Sequence, residues 1–166
     1  YGLPELFRDD LPGAMLVANP GCYPTAAALA IAPLLTRSLV KPTGIIINAA
    51  SGVTGAGRKP APAYHFPEHN QAYFAYGTIG GHRHQPEIEQ ELGMPVTFVP
   101  HLVPLDRGIF ETIYARLKPG VTAGDIAATR DPSRRIPQPA SDDEVAELAR
   151  TLDRMLRELD AARTEK

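Results

Sequence analysis

The chain has one cysteine, no long apolar run and no marked excess of either charge. A single cysteine in 166 residues excludes an intrachain disulfide framework and fits a reducing compartment. No stretch reaches the roughly 18 consecutive apolar residues that a membrane-spanning helix needs. The opening Tyr1-Gly2-Leu3-Pro4-Glu5 carries neither the basic region nor the apolar core of a signal peptide. A cytoplasmic location with no membrane partner is therefore expected. A formal net charge of −2 supplies no attraction to nucleic acid. Neither the dinucleotide fingerprint nor the P-loop spacing occurs. The first residue is not methionine, which reads as a processed chain or a piece of something longer.

What is present is ordinary globular composition, 43% hydrophobic and 22% charged, at a length of about one domain. Seventeen prolines predict many turns. The lone cysteine lies in Asn19-Pro20-Gly21-Cys22-Tyr23-Pro24-Thr25-Ala26, ahead of an alanine-rich run that reads as a helix over Thr25 to Leu39. Pro24 suits the first helical position, and Pro33 is expected to kink or break the helix. A helix apolar nearly all round is usually buried. Cys22 at the helix N-terminus meets unpaired N–H groups that favour a thiolate, hence nucleophilic catalysis. A buried structural cysteine fits the same context.

Upstream, residues 1 to 13 read as a lead-in in which Pro4 and Pro12 break any helix. Ala14 to Ala18 reads as a short strand. Ile45 to Ala49 is continuous and β-branched, the pattern of a central strand covered on both faces. Ser51-Gly52-Val53-Thr54-Gly55-Ala56-Gly57-Arg58 follows it, either as an anion-cradling loop with inward N–H groups or as a plain tight loop. Residues 61 to 75 read as an ordered loop. Pro67 argues against a helix that would pair His65 with His69, and no metal site is expected.

Tyr76-Gly77-Thr78-Ile79-Gly80-Gly81-His82-Arg83-His84-Gln85-Pro86-Glu87-Ile88 delivers two histidines to the start of a helix that Pro86 opens and that runs to about Leu92. A catalytic histidine competes here with histidines that only satisfy backbone carbonyls. Val96 to Val99 and Ile109 to Leu117 read as strands, with an extended 101–105 segment and a turn at Asp106-Arg107-Gly108 between them. A short helix is expected over Val121 to Thr129, a linker over 130 to 140, and an amphipathic helix over 141 to 166, capped by Ser141 and Glu144. Together these predict an α/β (α+β) domain with a mixed sheet, residues 1 to 129, followed by linker and tail. Arg58, Arg83 and Arg107 are candidates for binding a carboxylate or phosphate, because guanidinium matches such anions bidentately.

Four motifs in order, the cysteine turn, Ser51 to Arg58, Gly81 to Ile88 and Val103-Pro104-Leu105-Asp106-Arg107-Gly108, resemble N-acetyl-gamma-glutamyl-phosphate reductase, a relative of aspartate-semialdehyde dehydrogenase in arginine biosynthesis. The resemblance covers roughly residues 1 to 129, the substrate and dimerisation half. It implies a glyceraldehyde-3-phosphate-dehydrogenase-like C-terminal domain without its Rossmann half. It also implies Cys22 as nucleophile, His84 as base, Tyr76 in the substrate site, and a cofactor-lining loop in which Ser51, Gly52 and Gly55 contact NADP. The implied substrate is a small acyl phosphate. The implied partner is a second copy or a companion nucleotide-binding chain. Two departures stand out: the nucleotide half is missing, and residues 130 to 166 differ from what the family places there. A non-catalytic oligomerisation module keeping a vestigial site, and a cysteine hydrolase, are the competing readings.

Overall fold

Three consecutive isoleucines open β1 (Ile45–Ser51), an interior strand of a four-stranded mixed sheet. The computed structural model describes residues 1–77, 81–127, 129 and 154. The chain divides into two compact units, Tyr1–Val121 and Thr122–Lys166. In the first, α1 (Pro4–Phe7) and α2 (Cys22–Thr36) precede β1. After it come α3 (Phe66–His69), β2 (Phe74–Ala75), α4 (His84–Leu92), β3 (Val96–Leu102) and β4 (Ile109–Tyr114). The sheet order is β2-β3-β1-β4. β1 pairs in parallel with β3, Ile47 opposite Phe98, and antiparallel with β4, Ile47 opposite Ile113. β2 adds antiparallel to β3.

One sheet face carries the core. Ile45, Ile47 and Ala49 of β1 and Phe98 of β3 pack with Tyr23, Ala27 and Ile31 of α2 and Ile88 of α4. The opposite face is open: Ile46 is 40%, Phe110 72% and Tyr114 54% exposed. The expectation that β1 is covered on both faces therefore fails. Its residues alternate between buried and partly exposed, because both long helices of this unit lie on one side. α2 is likewise buried on one stripe only, with Leu29 exposed.

Several boundaries also differ from the sequence reading. Pro4 does not break the lead-in but opens α1, where its missing N–H is harmless. Ala14 to Ala18 forms no strand; Met15 and Leu16 are almost wholly exposed, and the segment is held at its ends, where the Ala14 N–H donates to the Leu11 carbonyl and the Ala18 carbonyl accepts the Gly2 N–H. α2 starts at Cys22, so Pro24 occupies its third position, and the helix runs through Pro33 to Thr36. It stops where Ser38 adopts positive φ and the Leu39 N–H closes onto the Leu34 carbonyl. α3 forms despite Pro67, which sits in its first turn. α4 begins two residues before Pro86.

In the second unit, α5 (Ala123–Ala127) is capped reciprocally. Thr122 Oγ1 donates to Asp125 Oδ2, and the Asp125 N–H donates back to Thr122 Oγ1. The linker over 130 to 140 and the tail helix lie outside the described residues, apart from Arg154. Among the described residues no helix is long and apolar enough to cross a membrane.

Candidate active site

Cys22 and His84 each occupy the first position of a helix, α2 and α4, and the two helices pack together. Gly21 is the hinge between them. A Cβ there would stand 2.8 Å from His84 Nε2, so only glycine lets the cysteine turn close onto the imidazole. Glu87, one turn into α4, locks the approach: its Oε1 accepts the Gly21 N–H at 2.9 Å and the Tyr1 hydroxyl at 2.6 Å. Cys22 is exposed. The N–H groups of Cys22 and Tyr23 open α2 and have no acceptor within the helix, so the thiol stands at the positive end of the helix dipole. A buried structural cysteine is excluded by this exposure.

The two histidines differ. His84 is 9% exposed, with Nδ1 buried and without a partner. His82 is half-buried, and its Nδ1 accepts the His84 backbone N–H at 3.1 Å. Their rings meet edge to face at 4.9 Å. Burial lowers both below the usual imidazole range. The neighbouring Arg83 adds to this in each case, His84 also acts on His82, and Glu87 opposes the shift of His84. Both rings are therefore neutral near pH 7, the form in which imidazole accepts a proton.

A cavity of about 270 Å³ opens beside His82; neither Cys22 nor His84 is among its lining residues. Its polar wall includes Ser51, Tyr76, His82 and Arg83; Tyr64, Phe74 and Leu102 make it partly apolar. Such a mixture suits a small organic anion. Among the sequence candidates, Ser51, Gly55, Tyr76 and Arg83 thus line one cavity. Arg58 and Arg107 are exposed and are not among its lining residues, nor is Gly52. A Cβ on Gly52 would lie 2.6 Å from the Arg107 backbone N, so this glycine permits the loop to seat on Asp106-Arg107.

The Ser51–Arg58 loop is the tight-loop alternative rather than the anion cradle. The N–H groups of Gly52, Val53 and Thr54 donate to the Gly108, Leu105 and Asp106 carbonyls, and those of Gly55 and Gly57 close turns within the loop. These amides are not free for a phosphate. This loop therefore does not fit the pyrophosphate of a dinucleotide. Among the described residues no three His, Cys, Asp or Glu gather as a metal site.

Three contributors escaped sequence reasoning. Tyr23, 3% exposed, places its ring edge to face against His82, His84 and Phe98, and its hydroxyl lies 2.9 Å from that of Tyr76. Its position next to the cysteine at a helix start was the available signal. Glu87 had the signal of an acid in the first turn after the histidines. Glu111 had none. It stands opposite Ala49 on the core-facing side of β4, both carboxylate oxygens buried without a partner. Burial pushes it up to about 8.

With this geometry in place, the similarities to known proteins are consistent with one another. The N-acetyl-gamma-glutamyl-phosphate reductase of Syntrophobacter fumaroxidans is 52% identical over 134 residues, covering 77% of this chain and 39% of that protein. The protein of the same name from Symbiobacterium thermophilum is 56% identical over 124 residues, covering 71% and 36%. The chain thus spans less than half the length of these relatives. The structure of aspartate semialdehyde dehydrogenase II from Vibrio cholerae superposes with a TM-score of 0.60 at 13% identity, covering 86% of this chain and 53% of that one, a likeness of fold. Residues 22–131 match the family described as "Semialdehyde dehydrogenase, dimerisation domain", and the chain belongs to that family.

Proposed function

We propose that this chain is the substrate-binding and dimerisation half of an N-acetyl-gamma-glutamyl-phosphate reductase, a cytoplasmic enzyme of arginine biosynthesis. The observation that carries the reading is the meeting of two helix starts, one bearing an exposed thiol and the other a neutral, partly buried histidine pair, at identities above 50% to relatives of that name.

The reaction begins at Cys22. Its proton passes to a histidine of the pair, with His84 as the family's base. The sulfur then attacks the acyl phosphate carbonyl; an S–C bond forms, the C–O bond to phosphate breaks, and phosphate leaves. The N–H groups of Cys22 and Tyr23 are placed to stabilise the oxyanion of the addition step. Arg83 and the cavity wall hold the remainder of the substrate, with Arg58 and Arg107 outside that wall. Reducing the resulting thioester requires a hydride. The family resemblance assigns this to NADPH, whose pyrophosphate the bonded amides of the Ser51–Arg58 loop are not free to cradle. A companion nucleotide-binding region or chain is the natural holder.

The open sheet face, with Ile46, Phe110 and Tyr114 exposed, is the surface on which a second copy pairs. Burying such apolar area drives homodimer formation.

The test uses the purified chain with N-acetyl-gamma-glutamyl phosphate and no cofactor. Release of one equivalent of phosphate, with mass spectrometry showing acylation at Cys22, is expected. Loss of both in Cys22→Ser is expected too. A chain that is never acylated refutes the reading. Aldehyde oxidation by the isolated chain with NADP and phosphate should be negligible, and robust turnover would contradict the assignment to half an enzyme.

A further inference from the structure

The lead-in reaches the candidate active site directly. The Tyr1 hydroxyl donates to Glu87 Oε1 at 2.6 Å, across 86 positions of sequence. The same oxygen accepts the Gly21 N–H at 2.9 Å, and Gly21 immediately precedes Cys22. The other oxygen, Oε2, lies 3.1 Å from where a Gly21 Cβ would stand, so the whole carboxylate faces this turn. Tyr1 is itself held in place. The Gly2 N–H donates to the Ala18 carbonyl at 2.8 Å, and Leu3 is buried. A Cβ on Gly2 would stand 3.1 Å from Val17 Cγ1 and 3.2 Å from the Ala18 oxygen, so glycine allows this close approach. Gly2 thus holds the stretch that enters the cysteine turn, and Tyr1 holds the turn through Glu87.

We propose that Tyr1 is a positioning residue for Cys22 and His84: its hydroxyl keeps Glu87 on the Gly21 N–H and draws the charge of that carboxylate away from His84. Glu87 lies three residues after His84, on the same face of α4. A carboxylate there favours the protonated imidazole. A donor that binds the carboxylate weakens its pull, because the positive end of the O–H dipole points at the charge. The imidazole is then more nearly neutral, the form that can take a proton from Cys22. His84 also faces Arg83 beside it, the His82 ring at 4.9 Å, the Tyr23 ring at 5.8 Å, and the Cys22 turn across Gly21. Of these neighbours only Glu87 is bonded to Tyr1. The proposal rests on the reductase reading only for the chemistry that a neutral His84 serves.

The titration of both partners agrees with this arrangement. Burial, then the hydrogen bond to Glu87 and the charges of Glu87 and Glu91, hold the Tyr1 phenol above the usual tyrosine range. Tyr1 therefore remains a neutral donor wherever His84 titrates. Burial and Arg83 lower His84, and Glu87 alone works against them.

The experiment uses Tyr1→Phe in the full chain, which keeps the ring and its edge-to-face contact with Phe7 but deletes the hydroxyl. Proton NMR follows the titration of the His84 ring, and hydrogen exchange follows the Gly21 amide. The His84 midpoint should rise by about half a pH unit, a fraction of the worth of one hydrogen bond to a charged group. Exchange at Gly21 should quicken several-fold. Installing 3-fluorotyrosine at position 1 keeps every contact and strengthens the donor, so it should move the midpoint the opposite way. In a Glu87→Gln background, Tyr1→Phe should no longer move it. A Tyr1 that serves only as packing predicts no change in either readout. An unchanged midpoint or unchanged Gly21 exchange in Tyr1→Phe, a rise with 3-fluorotyrosine, or a shift that survives in Glu87→Gln overturns the proposal. All readings are taken without substrate, so failure here is distinguishable from a failure of Cys22 acylation.

Discussion

Replacing Glu111 with glutamine should make the protein more stable at neutral and alkaline pH. The side chain stands on the core-facing side of β4 with both oxygens buried and unpartnered, and its carboxyl is pushed from 4.5 up to about 8 by burial. The folded chain therefore keeps a proton that the unfolded chain has already released. Stability on this account declines as pH rises from about 4.5 to about 8 and is level outside that window. At pH 7 the upper bound is about 3.4 kcal/mol, at 1.36 kcal/mol for each of the roughly 2.5 pH units above 4.5. The side chain retains partial exposure, and solvent screening reduces this to about 1–2 kcal/mol. The glutamine side chain in Glu111→Gln would keep the shape and the unpaired polar atoms but has nothing to titrate. Urea unfolding of the parent and of Glu111→Gln at about pH 6.5 and about pH 8 reads the difference. The interval matters, because His82 and His84 impose the opposite slope below 6.5. The parent should lose about 1 kcal/mol across it while the variant stays flat. Parallel curves for the two proteins would show that Glu111 is solvated, or is paired in solution, and would refute the reasoning.

Gly21→Ala should place its methyl against His84 Nε2, lower stability by about 1–3 kcal/mol and slow Cys22 alkylation by iodoacetamide several-fold; urea melts and alkylation kinetics check both. Glu87→Gln should cost about 1–2 kcal/mol, because the charged acceptor of the Gly21 N–H and the Tyr1 hydroxyl is lost, measured by thermal melting. Since the folded-state values of His82 and His84 are lowered, stability should fall as pH drops below about 6.5. His82→Gln should flatten part of that fall in acid titrations followed by circular dichroism. Phe110→Asp on the open sheet face should shift the chain from dimer to monomer in light scattering.

The sequence reading succeeded where one residue type forces one structure. Ile45-Ile46-Ile47 reads as a strand and opens β1, and the ordered motifs pointed to the family that residues 22–131 match. It failed where packing decides. A continuous apolar run looks the same whether one or both sheet faces are covered, so the open side of β1 was invisible. Pro24 and Pro86 fit any position of a helical first turn, so both helix starts were set too late. The glycines after Ser51 look like a phosphate cradle until their amides are seen bonded to residues 105, 106 and 108. Tyr23 and Glu87 bond to residues far removed along the chain, and Glu111 is buried by strand pairing; no local spacing encodes either.

The bare side of the sheet has a thermodynamic corollary. If the exposed Ile46, Phe110 and Tyr114 are covered by another molecule of the same chain, folding and association become one equilibrium. The temperature at which the protein melts then depends on how much of it is in the tube, climbing with concentration by mass action. Dilution alone, with no denaturant, would weaken it.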